Sequence, residues 1–127
     1  MFLDEELIMK DNALITLSKQ FAIDIINLCG EIKKRSGNLL CDQLLRAGTS
    51  IGANIHEGNY ASSRADFINK FRIALKECYE TEYWMDIFKE AGWIKELEHK
   101  EYKAKCNKLR ILLIASIKTA DSAEHKK

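Results

Sequence analysis

No proline interrupts any of the 127 residues of this chain, and that absence constrains the fold more than any single motif does. Proline kinks or ends helices and seeds turns, so a chain without it is free to run in long helices joined by short connections. The apolar residues use that freedom. Leu14, Leu17, Phe21, Ile25, Leu28 and Ile32 recur at steps of three and four, which places them on one face of a helix. The same spacing returns in Leu40, Leu44, Ala47, Ile51 and Ile55, then in Phe67, Phe71, Leu75, Cys78, Met85 and Phe88, and again in Tyr102, Cys106, Leu109, Leu113 and Ile117. Ile68, Tyr79, Trp84 and Ile87 add a second apolar strip to the third segment, which therefore has two surfaces to cover.

These stripes predict helices over about 12–36, 39–60, 64–91 and 99–121. The punctuation between them is consistent with those limits. Asp11 or Asn12 can cap the first helix, which "KKRSGN" closes with bases in its last turn and Gly37 just beyond it. Asn38 can cap the second. Ser63 followed by Asp66 resembles a capping box for the third, and Gly92 can stop it. The expected fold is all-α: a single domain spanning 1–127, folded as an antiparallel up-down-up-down four-helix bundle.

Lys and Arg number 20 against 19 Asp and Glu, so net charge alone indicates no polyanionic partner. The distribution is uneven, with net charges of −4 over 1–32, +3 over 33–46, −2 over 47–92 and +4 over 93–127. A basic surface must then come from the 33–46 corner and the last helix. The candidate nucleic-acid contacts are Lys33, Lys34, Arg35 and Arg46 at the corner, with Lys100, Lys103 and Arg110 sharing a face of the last helix and Lys105 and Lys108 turned aside. For self-association, Trp84 and Trp93 are candidate anchors, with Ile87 on the second apolar strip and Arg72 and Glu80 able to pair across a subunit boundary.

Other chemistries find little support in the sequence. Cys29, Cys41, Cys78 and Cys106 form no CxxC pair, and they read as reduced thiols in or near the core of a cytoplasmic protein. The start "MFLDEELIMK" is acidic where a signal peptide is basic, and no apolar run is expected to reach the ~20 residues of a membrane span, so no membrane partner is expected. "RAGTSIGANIHEG", Arg46 to Gly58, has glycines that could cradle phosphate, yet it lacks the lysine of GxxxxGK[ST] and the spacing of GxGxxG. Lying inside a helical pattern, its glycines read as a seam where another helix comes close. Glu96-Leu97-Glu98-His99 is only half of a di-iron pattern, and Thr49 and Ser50 have no base on their own face. No enzyme, metal or cofactor is expected.

"LLRAGTSIGANIHEG", followed by "SRADFINKFRIALKECYETEYWMDIF" and then "AGWI", resembles the four-helix bundle protein family, also described as the 23S ribosomal RNA intervening-sequence protein family. That family includes the accessory variability determinant proteins of diversity-generating retroelements. The resemblance runs from Ser18 to Ala120 and is densest over 44–94. It implies a four-helix bundle, often assembled as a ring-shaped homopentamer. For function it implies a non-enzymatic scaffold or adaptor that binds RNA, DNA or a ribonucleoprotein, or alternatively a protein-only interaction module such as an accessory factor for a reverse transcriptase. The accessory proteins that bind nucleic acid are distinctly basic, and the +1 balance of this chain departs from them.

Overall fold

The computed structural model describes residues 5–37 and 40–125, with side chains for 13–37 and 40–123. They form four helices, α1 (Glu5–Ser36), α2 (Cys41–Asn59), α3 (Arg64–Glu90) and α4 (Glu96–His125), and no strand among the described residues. α1 begins well before the cap expected at Asp11 or Asn12, both of which lie inside the helix.

The helix ends follow from local chemistry. Gly37 adopts φ +80 and its N–H donates to the Lys33 carbonyl at 3.0 Å, closing α1 in a conformation open to a residue without Cβ. The proposed cap Asn38 lies outside the described residues, and the N-cap position of α2 is held by Leu40 with no side-chain hydrogen bond. Ser63 does cap α3: its Oγ accepts the Asp66 N–H at 3.1 Å, while the Asp66 carboxylate accepts the Ser62 N–H at 3.3 Å. α3 ends in a Schellman arrangement, with Gly92 at φ +79, Trp93 N–H on the Phe88 carbonyl at 2.8 Å and Gly92 N–H on that of Lys89 at 3.0 Å. The Trp93 ring then packs on Phe88, centroids 5.0 Å apart, as the apolar contact of that motif.

α1 and α3 each touch α2 and α4, while the diagonal pairs α1–α3 and α2–α4 stay apart among the described residues. The apolar stripes of all four helices therefore meet in one core. Phe21, Ile25, Ile51, Phe71, Phe88 and Leu113 sit there essentially without solvent contact. Each fully buried side chain of this size contributes about 1.5–3 kcal/mol. All four cysteines are free and buried. Burial pushes the Cys29 thiol up to about 12, and a hydrogen bond with Cys106 together with burial raises that of Cys78, so these sulfurs remain protonated packing groups.

The glycine run resolves as packing. A Cβ built on Gly48 would lie 2.9 Å from both branches of Ile25, and one on Gly58 would lie 2.7 Å from the Phe71 ring. Contrary to the expectation that no apolar stretch reaches bilayer length, Ala13–Ser36 of α1 is long and apolar enough in composition to cross a membrane. The segment holds no unbroken apolar run, because it mixes core residues such as Leu14, Phe21 and Ile25 with exposed isoleucines among polar ones.

Candidate nucleic-acid interface

The basic residues divide into two sets by what their side chains touch. At the corner, Lys33 lies 3.6 Å from Asp42, Lys34 lies 3.3 Å from Glu31, and Arg46 bridges Glu77 at 3.2 Å and Glu80. Arg35 makes two parallel bonds to Glu98, at 2.8 and 3.0 Å. On α4, Lys103 meets Asp86 at 3.1 Å, and Arg110 meets Glu82 at 3.2 Å while lying over the Tyr79 ring. Lys105 reaches Asp24 at 2.9 Å. These cations are already neutralised by carboxylates of the same chain, which weakens any call on them by phosphate.

Lys100 has no carboxylate at ion-pair distance among the described residues, and with Lys103 and Arg110 it lines one cleft between α3 and α4, as the spacing predicts. Those two turn toward α3. Lys100 also belongs to a line running Leu97, Lys100, Ala104, Lys108, Ile111, Ala115, Lys118, in steps of three and four along α4. Leu97 is 79% and Ile111 57% exposed and the three lysines are exposed, with Glu101 beside Lys108 on the same side of the helix and bonded to Lys105 at 3.3 Å. At 1.5 Å per residue the lysines stand about 12 and 15 Å apart along the axis. As the spacing predicts, Lys108 is turned aside with Lys105, the two lining a cleft between α4 and α1 that also holds Asp24, while Lys118 is not among the candidates from the sequence. The available signal was the spacing from Leu97, which identifies one face but not the neighbour that covers the others.

The candidates for self-association fare unequally as free surface. Trp84 is half-buried against the core and its Nε1 donates to Glu80 at 3.4 Å, while Trp93 packs on Phe88. Glu80 is held by Arg46. Arg72 and Ile87 remain exposed, on an outward face of α3 that also carries Tyr79 and Tyr83.

The carboxylates that bind these cations are perturbed in the expected sense. The Arg35 guanidinium holds Glu98 below its ordinary value, helped by the Lys95 N–H at 2.9 Å and opposed by burial. For Asp24 and Asp86 burial acts to raise the pKa, but bonds from Lys105 and Gln20 in the first case, and from His99 and Lys103 in the second, prevail and lower it. Glu98 and His99 thus serve different neighbours, Arg35 on α1 and Asp86 on α3, the latter at 2.7 Å. No group of three or more metal-ligating side chains gathers among the described residues. The Thr49 and Ser50 hydroxyls donate to the carbonyls of Leu45 and Arg46, at 2.7 and 2.6 Å. What the exposed lysine line can do chemically is bind an extended anionic surface.

Comparison with known proteins adds a lineage. Residues 10–115 match the model of the 23S rRNA-intervening sequence protein family. Among solved structures, the chain is similar to a protein of unknown function from the S23 ribosomal protein family of Bacteroides thetaiotaomicron VPI-5482. The two are 42% identical, with 86% of this chain and 98% of that one covered and a TM-score of 0.84. No curated protein matches.

Proposed function

The chain belongs to the 23S rRNA-intervening sequence protein family, and we propose that it is a non-enzymatic, cytoplasmic, oligomeric scaffold holding RNA or a ribonucleoprotein on the outward face of α4. The observation that carries this reading is the sorting of its bases, with Lys100, Lys108 and Lys118 exposed and without a carboxylate at ion-pair distance among the described residues, while the other candidate bases are paired. A net charge of +1 is compatible with it, because the paired charges cancel one another along the bundle surface and leave these lysines exposed.

An up-down-up-down order is part of the proposal, and contacts between neighbouring helices support it. Arg35 and Asp24 of α1 meet Glu98 and Lys105 of α4, so residue numbers fall on one helix as they rise on the other. Asp86 and Glu82 of α3 meet Lys103 and Arg110 of α4 in the same opposed sense. Glu57 and Arg46 of α2 meet Lys70 and Glu77 of α3 likewise. Assembly into a ring, pentameric as in the family pattern, would repeat the lysine line around one continuous field.

A short structured RNA titrated at rising salt tests the function. We expect affinity to fall steeply with salt, and replacement of Lys100, Lys108 and Lys118 by glutamine to flatten the log–log slope by about 2–3. A slope unchanged by the triple substitution would remove this face. A second reading, a module that binds only protein, draws on Leu97 and Ile111, which stand exposed between the lysines; absence of RNA binding even at ~50 mM salt would favour it.

A further inference from the structure

α1 and α4 are the least closely packed of the neighbouring helix pairs. Polar bonds stitch one half of their seam: Arg35 holds Glu98, the Tyr102 hydroxyl donates to the Asp24 carbonyl at 3.4 Å, and Lys105 donates to the Asp24 carboxylate at 2.9 Å. Beside that last bond the seam opens into a cleft of about 220 Å³, floored by the apolar side chains of Leu17, Phe21 and Leu109. Phe21 and Leu109 belong to the core, so the floor is held rigidly by the packing beneath it. We propose that this cleft binds a small apolar monocarboxylate, with its hydrocarbon body on Leu17, Phe21 and Leu109 and its carboxylate at the Lys108 ammonium.

Charge at the rim selects an anion as the guest. Asp24 is the carboxylate of the lining, and both of its oxygens are engaged, Oδ1 by the Gln20 amide at 3.0 Å and Oδ2 by Lys105 at 2.9 Å. A cationic guest would have to displace one of those bonds. Lys108 stands exposed at the same rim and has no carboxylate at ion-pair distance among the described residues, so its ammonium is available to an incoming carboxylate. Gln20 retains a second amide N–H, and Lys105 a third N–H beyond those directed at Asp24 and Glu101, so further donors stand beside it. Size narrows the class further. A cleft of about 220 Å³ falls below the roughly 300–1,000 Å³ of sites for drug-sized ligands, so it suits one short chain or a single ring and excludes a two-chained lipid.

The two halves of the guest can be tested separately by saturation-transfer NMR titrations on the full chain without RNA. Hexanoate should bind saturably and up to about 15-fold more tightly than butanoate, because each added methylene is worth about fourfold when buried. Hexanol, which has the same body and no charge, should bind about tenfold more weakly than hexanoate. Lys108→Glu should remove that advantage, bringing hexanoate down to the level of hexanol, whereas Lys76→Gln, at an exposed lysine of α3, should leave both affinities as in the wild type. Lys108 is exposed, so its variant should keep the wild-type urea midpoint and report on binding alone. Leu17→Ala, which deepens the floor, should shift the preference from hexanoate toward octanoate. The site is overturned by a lack of saturable hexanoate binding, by hexanol binding as tightly as hexanoate, or by Lys76→Gln weakening hexanoate as much as Lys108→Glu does. A chain-length preference unmoved in a folded Leu17→Ala protein likewise overturns the assigned floor. No RNA enters these titrations, so their failure leaves the RNA reading standing, and failure of the RNA reading leaves this site standing.

Discussion

Gly58 and Gly30 occupy helices alike but answer opposite questions about a missing methyl group. A Cβ at Gly58 would press into the Phe71 ring at 2.7 Å, in a core where Phe71 has no free side to move into. We expect Gly58→Ala to lower stability by about 1–3 kcal/mol, the usual effect of overpacking, even after alanine's better helix propensity is counted. Gly30 has nothing within 4 Å of the added atom and sits in the interior of α1, so Gly30→Ala should raise stability by about 1 kcal/mol. Urea midpoints at unchanged slope measure both, and a stabilised Gly58→Ala would contradict the close approach of α2 and α3. That the Arg46–Gly58 run is a packing seam was legible from its place in a 3.6-residue pattern. Which glycine is tightest was not, because that depends on the side chain opposite, and Phe71 lies in the next helix.

At the scale of elements, Glu98 does two jobs at once. Its carboxylate accepts the Lys95 N–H at 2.9 Å, as in the first turn of a capped helix, and holds Arg35 at the end of α1. This explains why α4 starts at Glu96, ahead of the expected start near 99. The apolar stripe marks only where a helix has a buried face, and the first turn of α4 is secured by a partner 63 residues away. Because Glu98 is held below its ordinary pKa of 4.5, the unfolded chain takes up its proton first on acidification. Stability from this group is therefore present above pH 4.5 and is lost as pH falls below that value, through the lower pKa of the folded state. Asp24 and Asp86 act in the same sense below their ordinary value of 3.8. Glu98→Gln should cost about 1 kcal/mol at neutral pH and make the acid limb shallower. An acid limb identical to wild type would show that the Arg35 pair does not couple α1 to α4.

For the whole molecule, the central issue is which charges belong to the fold and which to a partner. Composition could not separate them: net +1 describes a chain with no polyanion to bind and equally one whose acids are engaged internally. Periodicity groups Lys100, Lys103 and Arg110 on one face of the last helix, and they do line one cleft with α3, but only the position of α3 shows which of them it engages. With Asp86 and Glu82 of α3 beside them, Lys103 and Arg110 become cross-braces of the bundle. The two sets should then separate in experiment. Replacing Lys103 and Arg110 by glutamine is expected to cost up to about 1 kcal/mol each in unfolding free energy, with RNA affinity and its salt slope nearly unchanged. Replacing Lys100, Lys108 and Lys118 should do the reverse, leaving the urea midpoint in place while weakening and flattening RNA binding. The crossed pattern is the informative result, since partial unfolding lowers affinity in both sets together and a diffuse electrostatic attraction weakens by the number of charges removed, wherever they lie. Equal losses of affinity per charge in the two sets would return RNA binding to general surface charge and deprive the outward line of α4 of any special role.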